Sequence, residues 1–176
     1  MKATGVVRRI DDLGRIVIPK ELRRTLRIRD GESLEIFVEN DMIALKKYSS
    51  MSDLKEISNN LVNTINQTIL KNVVITDRDK IIAASSNIKS NYLDKTISKY
   101  LEQKLNNREI IVEKNNHDIE LIDGVNENYA FVISPIIMNG DALGNVVIFS
   151  NKSSITESEV KLASIISTFL GKYIEE

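Results

Sequence analysis

The 176-residue chain predicts an α+β protein in which a small, basic, hairpin-rich module precedes a larger antiparallel sheet with flanking helices. Three observations predict it. Short β-branched runs separated by turn residues recur along the chain, as strands of an antiparallel sheet do. Long amphipathic runs occur only after residue 50, at the two ends of the remaining sequence. Charge divides at the same place, with 11 basic and 8 acidic residues before it, 13 and 17 after it, and a net charge of −1 that conceals the split.

Val6 to Ile10 and Arg15 to Ile18 read as two strands around Asp11-Asp12-Leu13-Gly14, whose glycine supplies the positive φ of a tight turn. Pro19 suits the first turn of a helix. In that helix Leu22 and Leu26 share one face, while Lys20, Arg23, Arg24 and Arg27 form a cationic stripe on the other. Residues 1 to 29 hold nine basic and three acidic side chains, a surplus of six positive charges. Asp30-Gly31 ends this stretch. Leu34, Ile36 and Val38 then alternate with Glu35, Phe37 and Glu39, and Asn40-Asp41 leads into a run from Met42 to Tyr48, a second hairpin. A unit of about 50 residues without cysteines or metal ligands needs another copy to complete a core, so a dimer, with interleaved hairpins, is expected.

Ser50 and Asp53 have capping-box spacing and open an amphipathic helix with Leu54, Ile57, Leu61, Ile65 and Ile69 on one face. Strands are expected at 73–76 and 80–85 around an exposed Asp77-Arg78-Asp79 turn, then a helix from about Ser90 to Leu105. Further strands are expected near 109–113, 119–122, 130–138 and 143–150, with turns at Asp123-Gly124 and Asn139-Gly140. Thr156 and Glu159 repeat the capping box before Val160, Ala163, Ile166, Leu170 and Tyr173. The two long helices either cover their own sheet or pair across a two-fold axis as a four-helix bundle. In the second case Leu54, Ile57, Leu61, Ile65, Ile166 and Leu170 are the oligomerisation residues. The domain boundaries expected are 1–50, a linker helix at 51–70, and 71–176.

With no cysteine and one histidine, thiol chemistry and multi-histidine metal sites are excluded, and neither a metal, a cofactor nor an enzymatic role is expected. His117 reads as a solvated loop residue. No apolar stretch approaches the ~18 to 20 residues of a membrane span, so no membrane association and a cytoplasmic location are expected.

The runs TG, VRRIDDLGR, IVIP, ELRRTLRI, LEIFVEN and ALKKY strongly resemble the DNA-binding domain of the AbrB family of bacterial transition-state regulators, over about residues 1 to 50. The resemblance implies a swapped-hairpin β dimer that binds double-stranded DNA. It places Arg8, Arg15, Arg23 and Arg24 at the contacting positions, with Arg9 and Lys2 as helpers. The Glu39 to Ile43 turn departs from the family in lacking glycine. Arginine suits the task, because its planar, permanently charged fork fits phosphate oxygens and guanine edges. With no long recognition helix, contacts to phosphates and to groove shape should dominate, giving degenerate, AT-rich targets and steep salt dependence.

The order of elements after residue 50, and SPIIMNGDALGNVVIFS at 134–150, resemble a GAF domain. That fold implies a small-molecule pocket, while no phosphate loop, bilin cysteine or cyclic-nucleotide signature identifies a ligand; a tail that has lost ligand binding and serves only for assembly is the alternative. An AbrB-type head with a GAF-like tail is similar to regulators of spore-forming bacteria. It implies a transcription regulator of sporulation genes, activating some and repressing others, assembled as a tetramer of two swapped-hairpin dimers. The rival reading is an antitoxin-like protein-interaction module, since AbrB-like heads also occur in toxin-neutralising proteins; the long, periodic, apolar tail argues against it.

Overall fold

The computed structural model describes residues 5–49, 51 and 54–175, so Lys2 and the Ser50–Asp53 cap lie outside it. The chain divides between Tyr48 and Ser49 into two compact units.

In the first unit, α1 (Lys20–Thr25) starts at Pro19 as expected. It is shorter than the cationic stripe requires. Arg27 adopts φ 52°, its N–H bonds the Arg24 carbonyl at 3.2 Å, and the Ile28 N–H reaches the Arg23 carbonyl at 2.7 Å. Those two bonds close a Schellman turn and take Arg27 off the helix face. Strands β1 (Leu34–Glu39) and β2 (Met42–Lys47) pair antiparallel from Leu34↔Lys47 to Glu39↔Met42. Their glycine-free turn is made by Asn40 and Asp41 at φ 41° and 58°. These residues tolerate the left-handed region that a two-residue hairpin needs.

The expected strands at 6–10 and 15–18 are not formed within one copy, although the turn between them is. No described residue from 5 to 49 is buried; Val7 is 87% exposed, Val17 73%, Val38 77% and Ile43 70%. A single copy supplies neither ladder partners nor a core for these segments.

The second unit is a five-stranded antiparallel sheet in the order β4-β3-β7-β6-β5. Its strands are β3 (Asn72–Thr76), β4 (Ile81–Ala84), β5 (Ile111–Ile122), β6 (Val125–Met138) and β7 (Asp141–Ser150). Both faces are covered, which is why the central strands read as unbroken apolar runs such as Val146 to Phe149. On one face α2 (Lys55–Ile69) and α5 (Glu157–Glu175) close a core with Val62, Ile65, Val132, Val146, Ile148, Ala163, Ile166 and Leu170. On the other, α3 (Lys89–Tyr92) and α4 (Lys99–Asn107) cover Val74, Ile81, Ile97, Leu101, Phe131, Ile133, Val147 and Phe149. Helix α2 is thus a layer of this unit, packed on β3 and β4, in place of a free linker.

Several expectations need correction. The helix at 90–105 is two helices, because Ile97 is drawn into a bridge with Ile122 and buried completely. Asp94 turns left-handed at φ 61°, and Ser98 then caps α4 by accepting the Leu101 N–H at 3.1 Å. The strands near 109–113 and 119–122 are one strand, β5, with an irregularity between Glu113 and His117. His117 is exposed, as expected, but lies in that strand opposite Tyr129. The Asp77 turn forms, yet Asp77 is 8% exposed, its Oδ1 accepting the Asp79 and Lys80 N–H groups at 2.7 Å each. Burial pushes its carboxyl above the usual range. The Thr156–Glu159 capping box is present: Glu159 Oε2 accepts the Thr156 N–H at 2.8 Å.

Candidate nucleic-acid interface

The cationic residues of the first unit fall into two local groups. The first surrounds the turn at residues 11–14. Gly14, at φ 75°, lets its N–H reach the Asp11 carbonyl, while the Asp11 N–H reaches the Arg15 carbonyl, both at 3.0 Å. The Asp11 side chain completes the turn, Oδ1 accepting the Leu13 N–H at 3.1 Å and the Arg15 N–H at 2.7 Å. Oδ2 accepts from Arg15 Nε at 2.7 Å. The Arg15 N–H, then its guanidinium, hold the Asp11 carboxyl below the ordinary carboxylate range. Arg8, Arg9 and Arg15 stand exposed on the two arms of this turn.

The second group lies on and after α1. Arg23, 40% exposed, bonds Asp30 through Nη1 at 2.6 Å, while Arg24 is exposed beside it. Among the described residues, the side chains of Arg8, Arg9 and Arg24 take no hydrogen-bond or ion-pair partner. Arg29 and Lys47 serve differently. Glu32, only 9% exposed, receives Arg29 Nη1 at 3.3 Å and Lys47 Nζ at 3.4 Å, and Lys47 also donates to the Arg27 carbonyl at 3.0 Å. These contacts tie the loop after α1 to β2. The acidic partners Asp11, Asp30 and Glu32 were not picked out from sequence, though the four-residue step from Asp11 to Arg15 is a visible signal.

In the second unit, Leu54, Ile65, Ile166 and Leu170 are buried against their own sheet, and Ile57 and Leu61 are partly buried against the same core. The apolar residues that α5 leaves outside are Ile165, Phe169 and Tyr173, which are 65%, 43% and 48% exposed. On the opposite face Tyr92 and Tyr129 pack on Phe149 with ring centroids 5.5 and 4.9 Å away. Both hydroxyls donate to Glu127 Oε1, at 2.6 and 3.1 Å. Burial first, then the Glu127 carboxylate, push the Tyr92 hydroxyl up. An open cleft of about 430 Å³ lies between β6 and α5, lined by Ser134, Ser164, Ser167 and Thr168 with Arg108 and Lys172.

Comparison with known proteins agrees with this division. Residues 53–175 match the family described as Stage V sporulation protein T C-terminal, transcription factor. Residues 7–53 match the one described as antidote-toxin recognition MazE, bacterial antitoxin. Over the full length of both chains, 44% of residues are identical to stage V sporulation protein T of Bacillus subtilis (strain 168). A 48-residue stretch, 27% of this chain, is 60% identical to the transition state regulatory protein AbrB of the same organism and covers 50% of it. The A. aeolicus nlh2 GAF domain shares the fold of the second unit, with TM-score 0.54 and 14% identity over 74% of this chain and 87% of that one.

Proposed function

The chain belongs to the stage V sporulation protein T family of transcription factors, and from that premise we propose that it regulates sporulation genes by binding AT-rich double-stranded DNA through Arg8, Arg9, Arg15, Arg23 and Arg24. The observation that carries this reading is a set of exposed guanidinium groups in a unit none of whose described residues is buried. Acids inside the unit take up only part of that positive charge, and a polyanion is the complement of the rest. The arms at 6–10 and 15–18, which form no strand within one copy, and the exposed Val7, Val17 and Val38, support a swapped-hairpin dimer in which a second copy completes the ladder and core.

The second unit serves assembly into a tetramer. Its contact uses the exposed Ile165, Phe169 and Tyr173 stripe of α5, since Leu54, Ile65, Ile166 and Leu170 are already enclosed. Such a pairing of heads raises the effective concentration of the second dimer on a shared duplex. The protein acts in the cytoplasm, by binding, without a catalytic step.

The test is fluorescence anisotropy of the intact protein on 30-base-pair AT-rich and scrambled duplexes across a salt series. Loss of Arg23 and Arg24 together should lower the slope of log affinity against log salt by about two per bound protomer, about four for one swapped-hairpin dimer. No binding to any duplex, with a small toxin co-purifying, would instead support the antitoxin reading that the match at residues 7–53 favours.

A further inference from the structure

Asp11 and Asp30 place negative charge among the arginines, where it repels phosphates. The two acids hold their partners differently. Asp11 is anchored by two backbone N–H groups through Oδ1, so Oδ2 offers Arg15 Nε a positioned acceptor at 2.7 Å. Asp30 is 93% exposed and holds Arg23 through Nη1, a surface pair that a phosphate displaces at little cost. Among the described residues no other hydrogen bond or ion pair engages the Arg15 guanidinium, which is 70% exposed. With Nε spent on Asp11, the two-pronged Nη1–Nη2 edge is the part left for an outside acceptor.

We propose that Asp11 is a positioning residue that turns the Nη1–Nη2 edge of Arg15 outward for two-point contact with DNA, lowering general affinity for phosphates while raising discrimination between sequences. This rests on the DNA-binding reading above. A guanidinium held by a third point samples fewer orientations, so a correctly placed acceptor pair, such as the O6 and N7 of a guanine or a narrow groove wall, is favoured over scattered phosphates. The removal of a charge repelled by phosphates acts in the other direction, on every sequence alike.

The experiment uses the full-length protein, a duplex enriched by the wild type from a random-sequence library, and an unselected duplex from the same pool. Asp11→Asn keeps an oxygen for the Leu13 and Arg15 N–H groups while removing the charge and the Nε acceptor. It should bind the unselected duplex as tightly as wild type or more so, and lose about tenfold in the ratio of selected to unselected affinity. The melting temperature should stay near that of wild type. In an Arg15→Ala background the same substitution should leave the ratio unchanged, because its effect runs through Arg15. An unaltered ratio in Asp11→Asn, or equal weakening on both duplexes, overturns the positioning role while leaving DNA binding intact. A wild type that binds DNA without discrimination also overturns it. A wild type that binds neither duplex overturns the DNA-binding reading itself.

Discussion

Lys71, just before β3, is 7% exposed, and its ammonium lies 2.5 Å from Glu159 Oε1 and 2.8 Å from the Ser154 carbonyl. This pair joins the start of β3 to the first turn of α5. Replacing Lys71 by Met keeps the aliphatic bulk and leaves the carboxylate without its countercharge. Breaking a buried pair from one side costs about 3–5 kcal/mol, and Glu159 keeps the Thr156 bonds and the helix N-terminus, so the loss should fall near the lower figure, about 3 kcal/mol. For a domain of this size that lowers the melting temperature by about 10 °C. The pH dependence is more diagnostic. Burial alone would raise the Glu159 carboxyl, but Lys71 and then Thr156 outweigh it and hold it at about 2, against 4.5 for the free group. A depressed carboxylate stabilises fully above its unfolded value, and that contribution fades as pH falls towards 2. Urea unfolding at pH 7, 5, 4 and 3 should therefore show a wide gap between wild type and Lys71→Met that narrows below about pH 4.5. Replacing Glu159 by Met as well should recover much of the loss. Equal stability at pH 7, or a gap of constant size down to pH 3, would refute the reasoning.

Three further outcomes are expected. A Cβ at Gly171 would meet the Ile137 carbonyl oxygen at 2.2 Å, so Gly171→Ala should force α5 off β6 and cost about 1–3 kcal/mol in urea unfolding. Leu70 ends α2 at φ 56° with 84% of its surface in water, and Leu70→Gly should add about 1 kcal/mol by relieving that backbone, as read from the same curves. Phe169→Asp puts a charge on the exposed α5 stripe and should reduce the mass measured by light scattering with little change in melting; an unchanged mass would remove this face from assembly.

The local signals that proved legible are those whose cause is local. Thr156 and Glu159 cap α5 because their spacing lets each reach the other's backbone or side chain. Asn139-Gly140 turns β6 into β7 because both residues accept positive φ. The arginines of the first unit could be named for the same reason, since their type and density are properties of composition. The helix at 90–105 failed because periodicity is blind to Ile97, whose burial beside Ile122 outweighs the helical preference of its neighbours. The site's acids were missed as partners because spacing alone did not separate a turn aspartate from one that also holds a guanidinium.

The sequence by itself determined the turns, the capped long helices and most of the hairpins, the change of character near residue 50 and the concentration of positive charge before it, all of which follow from side-chain type and period. Only the tertiary structure decided which apolar residues remain available for other chains. Leu54 and Leu170 share a helical period with residues that could face a partner, but the sheet beneath them takes them first. Burial is a competition among surfaces distant in sequence, and it leaves Ile165 and Phe169, together with the arms of the first unit, in water.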